Sequence, residues 1–345
     1  VTRALVTGGA GYFGEVLAGR LRAEGQDVRI LDLNATDVPG IEQIRGDIRD
    51  PETVARACAG VDVVYHNVAQ VPLAKDRAAF WSINYRGTAI MLEAARAAGV
   101  RKVVYTSSSA VFGIPRENPV TRATPPSPAE DYGRAKLAGE ELCVRASVAG
   151  LDVSIIRPRT ILGHGRLGVV QVLFDWIARG QDVPVFNGGH NRYQFVHADD
   201  LAAACMAAGA RPSFGIYNIG AARFGTMRDL LEALIRHAGS KSRIKSLPMA
   251  PMEMIMGLTS RIGLSPLGPY HALMYGRELY FDISDAVREL GYAPRYSNEE
   301  AICQSYDWYM ANRDRIRSEG ASAHKSAVRK GVLALAPALL RLLPS

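Results

Sequence analysis

Arg3-Ala4-Leu5-Val6-Thr7 is a short apolar run that breaks into Gly8-Gly9-Ala10-Gly11-Tyr12-Phe13-Gly14. Val16, Leu17 and Leu21 then recur at helical spacing up to Gly25, and a second apolar run, Val28-Arg29-Ile30-Leu31, ends on Asp32. Strand, glycine turn, helix, strand and terminal acid in this order form one β-α-β unit, and no other feature limits the fold as strongly. Gly8 permits the tight turn, Gly11 lets backbone approach a pyrophosphate, and Gly14 lets helix and strand pack closely. The helix N-terminus supplies unpaired N–H groups and a positive dipole end, with Tyr12 and Phe13 as further candidate contacts. Asp32 is placed to accept hydrogen bonds from ribose hydroxyls. Its charge repels a 2′-phosphate, so the unit predicts NAD rather than NADP.

The pattern repeats along the chain. Arg45-Gly46-Asp47-Ile48 follows a short strand; Asp47, with Ile48 beside it, suits an adenine amine and suits equally a turn aspartate with no ligand. Val61 to His66 reads as a buried strand, with Asn67 and Ala69 at its end where cofactor lies and His66 as a strand-end residue. A long helix is predicted over Arg77 to Ala98, with Asn84 inside it either bonding a neighbouring loop or exposed. Lys102 to Thr106 is the next strand and delivers Ser107-Ser108-Ser109; Val153 to Ile156 is another. Strands alternating with helices predict an α/β fold, a Rossmann-type doubly wound parallel sheet with ligands at the carboxyl ends of its strands.

Tyr132-Gly133-Arg134-Ala135-Lys136 falls on a predicted helix over residues 130–149. Tyr132 and Lys136 stand at i and i+4, stacked on one face. An ammonium beside a phenol favours the phenolate and lowers a pKa normally near ~10. Such a tyrosine exchanges a proton with an alcohol or ketone at neutral pH, and a nearby serine hydroxyl holds the same oxygen. On its own the pentapeptide is common on solvated helices; the upstream unit gives it weight.

Together these marks resemble the extended short-chain dehydrogenase/reductases, the NAD-dependent epimerase/dehydratase group, over roughly Thr2 to Tyr309. The resemblance rests on T-G-G-A-G-Y-F-G, Asp32, Gly46-Asp47, the Asn84-x-x-Gly87-Thr88 run, T-S-S-S-A-V-F-G and Y-G-R-A-K. In relatives the catalytic Ser or Thr precedes a loop glycine by five positions, which from Gly113 selects Ser108. The resemblance implies proton relay by Tyr132, carbonyl polarisation by Ser108, and ribose contact and pKa lowering by Lys136. Residues 1–156 are then the NAD-binding part, 157–313 mainly substrate-binding with segments returning to the large sheet, and 314–345 a tail.

From Arg157 onward the likeness to sugar-nucleotide enzymes weakens. Arg157-Pro158-Arg159-Thr160-Ile161-Leu162-Gly163 resembles their R-P-x-N-x-x-G, with Thr160 in place of the Asn. Arg192 stands three positions before Phe195 where they have Arg two before, and Met274-Tyr275-Gly276-Arg277-Glu278 stands near their R-P-G-D. Ser109, Thr160 and Arg192 are the candidate substrate contacts. Asp199 or Asp200 is expected to cap a helix from Leu201. Leu247 to Tyr270 is rich in Met, which suits an adaptable apolar pocket and equally a core helix. These features favour a lipid-like substrate of the kind used by the 3β-hydroxysteroid and sterol dehydrogenase branch, or a long-chain 3-oxo lipid. A nucleotide-sugar epimerase or dehydratase is the second reading. A non-catalytic NAD-binding subunit is the third, and intact Ser108, Tyr132 and Lys136 argue against it.

Charge and cysteine usage exclude other classes. Of the net charge of +7, +5 lies between Ala311 and Ser345, leaving a nearly neutral body with no face for nucleic acid. The Leu-rich end of that tail suits an interfacial helix on a membrane surface, or one docked on the body or on a second copy in a homodimer. Cys58, Cys143, Cys205 and Cys303 have no metal spacing and read as reduced core residues of a cytosolic protein. His164, His190 and His197 are likewise scattered, so no metal is expected. No signal peptide and no membrane span is read in the chain.

Overall fold

Four strands and two helices open the chain: β1 (Arg3–Thr7), α1 (Tyr12–Ala23), β2 (Asp27–Asp32), β3 (Glu42–Arg45), α2 (Pro51–Cys58) and β4 (Val63–His66). Then come α3 (Thr88–Ala97), β5 (Lys102–Thr106), α4 (Asp131–Val148), β6 (Val153–Pro158), β7 (Thr160–Leu162), α5 (Val170–Ala178) and β8 (Val183–Phe186). The chain continues through β9 (Phe195–His197), α6 (Ala198–Ala210), β10 (Gly215–Ile219), α7 (Met227–His237), β11 (Ile244–Leu247), α8 (Ser284–Leu290) and α9 (Asn298–Ser318). The structure is a computed structural model, and it describes residues 1–36, 38–70, 77–165, 170–249 and 276–318.

Seven strands join in one parallel sheet in the order β10-β6-β5-β4-β1-β2-β3. Side chains alternate across it. Ala4 and Val6 enter a core with Leu17 and Leu21 of α1 and Leu201 and Cys205 of α6; Leu5, between them, enters a second core with Val54, Met91 and Cys143 of α2, α3 and α4. Both faces are therefore covered, and β5 and β6 are buried along their whole length, as a parallel sheet requires. The chain leaves the sheet after β6 and returns as β10, which pairs with β6. Between and after these lie two small parallel pairs, β7 with β9 and β8 with β11. Phe174, Val185, Phe195, Leu230, Phe281 and Tyr306 build a third core there.

Two local expectations change. The helix predicted over Arg77 to Ala98 is not uniform: Phe80–Gly87 is π-helical and the α-helix resumes at Thr88. Asn84 lies in that wider stretch with no exposed surface, and its amide closes a two-way bond with the backbone of Gln70, at 2.7 Å to N and 3.1 Å to O. The helix expected from Leu201 starts at Ala198, and its cap is His197, whose Nδ1 accepts from the Asp199 N–H at 3.1 Å. Neither aspartate caps, because both are engaged elsewhere. Asp199 pairs with Arg20 of α1, and Asp200 accepts from the Arg295 and Tyr296 N–H groups.

Cys58, Cys143 and Cys205 are buried free thiols, and burial raises each. Among the described residues no helix is long and apolar enough to cross a membrane. Positions 250–270 of the Met-rich stretch, Met274-Tyr275, and the tail beyond Ser318 lie outside the described residues.

Candidate active site

The ends of β1, β2, β4, β5 and β6 share one edge of the sheet, and the candidate residues gather there. Gly8 takes φ +69°, a left-handed turn that favours glycine, and a Cβ on Gly14 would stand 2.0 Å from the Gly8 carbonyl oxygen. Only glycines allow α1 to start this close to β1. Gly11 forms the N-terminal boundary of α1, and no side chain caps it. The first-turn N–H groups therefore face outward with a positive dipole end, as an anionic ligand requires. Tyr12 and Phe13 are buried in that turn. Asp32 closes the turn from β2: Oδ2 accepts from the Ala10 N–H at 3.1 Å and Oδ1 from the Asn34 N–H at 2.9 Å. Thr7 ties β1 to β4, its hydroxyl accepting from the Asn67 N–H and meeting His66 Nδ1 at 2.7 Å. Burial pushes His66 down to about 3, so it is a neutral strand-end histidine bonded to Thr7 and Thr88.

Tyr132 and Lys136 share the first turns of α4. Glu130 caps that helix, accepting from the Tyr132 and Gly133 N–H groups at 2.7 Å each. Tyr132 is 8% exposed, with Phe80 edge-on to its ring, and Lys136 is 2% exposed. Lys136 Nζ donates to the Thr106 carbonyl at 2.8 Å and lies over the Tyr105 ring. Burial pushes its ammonium down from 10.5 to about 8. The Thr106 hydroxyl donates to Asn67 Oδ1 at 2.5 Å, joining the β4 and β5 ends, while Asn67 Nδ2 is buried with no partner among the described residues. That unused donor, the uncapped α1 and the glycine cradle fit a dinucleotide laid across the strand ends.

The three serines at the end of β5 go different ways. Ser107 donates to Glu140 Oε1 at 2.6 Å, and Glu140 holds Arg157 through Nε at 2.9 Å and Nη2 at 2.6 Å. Ser109 accepts from Arg159 Nη1 at 2.8 Å. Ser108, half-buried, accepts from the Ala110 N–H at 3.1 Å. Sequence reasoning missed Glu140 and Arg159. Glu140, one turn past Lys136 on a helix, carries a readable i,i+4 signal; Arg159 carries none, because its partners come from distant segments.

The remaining candidates disperse. Thr160 is half-buried with its hydroxyl 3.3 Å from Tyr193 Oη. Arg192 is exposed, its guanidinium over the Phe224 and Tyr280 rings at 5.0 and 4.5 Å, a set of partners separate from the serines. Asp47 is held by the Arg49 guanidinium, which lowers its pKa, so its turn role is the one visible. Ile48 is buried under Gly87, and Ala69 follows Asn67 at the end of β4. His164, His197 and Asp199, unexpectedly, bring ligand atoms within 4.8 Å of one another. His197 already uses Nδ1 on the Asp199 N–H and Nε2 on Gln304, and Asp199 is paired with Arg20, so two of the three are engaged in a hydrogen-bonded helix cap, with the exposed His164 ring 5.9 Å from that of His197.

The chain matches the model of the NAD dependent epimerase/dehydratase family over residues 4–220. It is 58% identical to the uncharacterized protein y4nG of Sinorhizobium fredii, over 100% of this chain and 88% of that protein. UDP-glucose 4-epimerase of Mycolicibacterium smegmatis is 33% identical over 69% of this chain and 83% of its own length. 2-Alkyl-3-oxoalkanoate reductase of Stenotrophomonas maltophilia is 29% identical over 86% and 96%. In fold the chain is similar to the UDP-glucose 4-epimerase of Thermotoga maritima solved with UDP-glucose, with a TM-score of 0.76 at 23% identity over 90% of this chain and 100% of that one.

Proposed function

The chain belongs to the NAD dependent epimerase/dehydratase family and is an NAD-dependent enzyme of the extended short-chain dehydrogenase/reductase type; within it, we propose an oxidoreductase that interconverts a secondary alcohol and a ketone on a lipid-like substrate. The observation that carries the chemistry is the division of labour at the β5 end. Ser107 and Ser109 are tied to buried charged groups, while Ser108 keeps partial exposure and is bonded to Ala110, which packs with Tyr132. In this reading Ser108 holds the substrate oxygen, and Tyr132 takes its proton on oxidation or returns it on reduction. Lys136, whose Nζ is held by the Thr106 carbonyl, is assigned to the cofactor ribose and to the support of Tyr132. The glycine turn, Asp32 and Asn67 hold the dinucleotide, which when bound accepts or returns a hydride at its nicotinamide ring.

The lipid assignment is supported by the side of the site that differs from sugar-nucleotide enzymes. Thr160 replaces their Asn, Arg192 is stacked on two aromatic rings, and a 2-alkyl-3-oxoalkanoate reductase aligns over 96% of its length. Contact of the basic, Leu-rich tail with an anionic membrane surface fits the same substrate. The second reading, a nucleotide-sugar epimerase or dehydratase, is favoured by the relative at 33% identity. The two differ in the fate of the cofactor. Purified protein with NAD, offered 3-hydroxyalkanoates, sterols, UDP-sugars and dTDP-sugars, should release NADH with a hydroxy lipid. Conversion of a sugar nucleotide without net NADH would replace the lipid reading by the epimerase one.

A further inference from the structure

Arg159 has the largest fully buried side chain in the described structure, at 1% exposure. Its Nε donates to the Gln194 carbonyl at 3.2 Å and its Nη1 to Ser109 Oγ at 2.8 Å. Its guanidinium carbon lies 4.7 Å from the centre of the Tyr193 ring and 5.6 Å from that of Phe281. Nη2 is out of contact with solvent and has no partner among the described residues. No carboxylate of the described residues pairs with it. A buried guanidinium in this condition is far costlier than a paired one, so a purely structural arginine acquires a carboxylate. Arg157, two residues earlier and equally buried, has done so with Glu140.

We propose that Arg159 receives a carboxylate carried by the substrate, which makes the enzyme specific for a hydroxy or oxo acid over the neutral alcohol or ketone. This rests on the reading above that the substrate is a hydroxy or oxo lipid. Ser109, the residue Arg159 is bonded to, directly follows Ser108, and adjacent Cα atoms are about 3.8 Å apart. That neighbourhood in the chain is why a hydroxy or oxo acid, which carries its carboxylate close to the reacting carbon, is the substrate proposed. Tyr193 and Phe281 lie 4.7 and 5.6 Å from the guanidinium carbon, and Nη2 is the donor left for the carboxylate; a phosphate would use the same fork, which is why UDP-glucose is included in the test.

The test uses full-length protein saturated with NAD. 3-Hydroxydodecanoate and its methyl ester are titrated in turn, reading binding by calorimetry and turnover by NADH. Wild type should favour the acid by about 10- to 100-fold, the worth of a charged hydrogen bond. In Arg159→Met the acid-to-ester ratio should fall toward one, and Arg159→Lys, which keeps charge without the planar fork, should fall between. Equal handling of acid and ester by wild type overturns the proposal without recourse to any variant, and leaves the lipid reading standing if both are oxidised. An unchanged ratio in a folded Arg159→Met overturns it as well. Acid binding that depends on Arg159 but gives no NADH sustains the carboxylate site and removes the oxidoreductase reading for that substrate. Loss of UDP-glucose binding in Arg159→Met, with the acid unbound by wild type, moves the anion to a sugar-nucleotide phosphate and overturns the carboxylate.

Discussion

Arg157 and Arg159 leave the same end of β6, both buried, and are finished in opposite ways. Arg157 lies against Phe112 with two nitrogens on Glu140, which also takes the Ser107 hydroxyl. Arg159 lies against Tyr193 and Phe281 with a serine, a backbone carbonyl and one unused nitrogen. The first cluster is complete within the protein, so its purpose is to hold α4, β5 and β6 in register. The second is complete only with something added. A closed polar cluster belongs to the framework and an open one to the site, and the two should fail differently when broken.

The largest effect is expected on the open side. Tyr132→Phe removes one hydroxyl and should lower turnover about 10²–10⁴-fold, the usual worth of a general acid–base group. Its melting temperature and NAD affinity should stay near wild type. Steady-state kinetics with the identified substrate and a thermal melt check both halves. Near-normal turnover would take Tyr132 out of the relay and blur the contrast between the clusters.

The closed side should fail in stability. Glu140→Gln leaves Arg157 buried without its counter-charge, and breaking such a pair costs about 3–5 kcal/mol. Urea unfolding of the variant should show this loss as a lower midpoint. A cost near zero would mean that water already relieves Arg157, and the distinction from Arg159 would then carry no weight.

How much of this is legible in the sequence depends on how far apart the partners lie along the chain. The glycine turn is readable because Gly8 and Gly14 each answer a local backbone need, a positive φ and a close approach. Tyr132 with Lys136 is readable because one helix turn joins them. The parallel sheet follows from strands and helices alternating at short range. Arg159 is hidden because Ser109, Tyr193, Gln194 and Phe281 reach it from separate segments. His197 is hidden as a cap because aspartate is the stronger prior, and only the fold shows Asp199 drawn to Arg20 and Asp200 to the Arg295 backbone. The π-helical stretch is unreadable for a related reason: the Gln70 backbone that Asn84 binds is brought to it by the end of β4.

Lys136 sharpens the comparison in a pH window. Burial lowers its ammonium from 10.5 to about 8. Below pH 8 folded and unfolded chains both hold the proton, and the burial penalty is fully present. Between 8 and 10.5 the folded chain sheds the proton while the unfolded chain keeps it, so this residue's contribution to stability rises with pH. The rise is at most about 3 kcal/mol, at about 1.36 kcal/mol per unit. Buried thiols and phenols slope the other way at high pH, so the measurement is the difference between wild type and Lys136→Met across roughly pH 7 to 10.5. Wild type should gain on the variant as pH rises. A flat difference would show Lys136 paired as fully as Arg157, on the framework side of the division.

The smallest effect is expected where one residue belongs to both kinds. Asp32 is part framework, because its carboxylate accepts from the Ala10 and Asn34 N–H groups and so braces the glycine turn. It is also partly exposed at the end of β2, with lone pairs to spare for ribose hydroxyls. Asp32→Ala loses both contributions, and NAD affinity should weaken about tenfold, within the range for hydrogen bonds to a charged acceptor. The same change removes the repulsion of a 2′-phosphate, so NADP should weaken less or improve, and the gap between the nucleotides should narrow. Calorimetric titration of both nucleotides into wild type and variant separates the two contributions. If the two affinities fall in parallel, Asp32 acts only by bracing the turn. Tighter NADP than NAD in the wild type would remove Asp32 as the selector and return it to the framework.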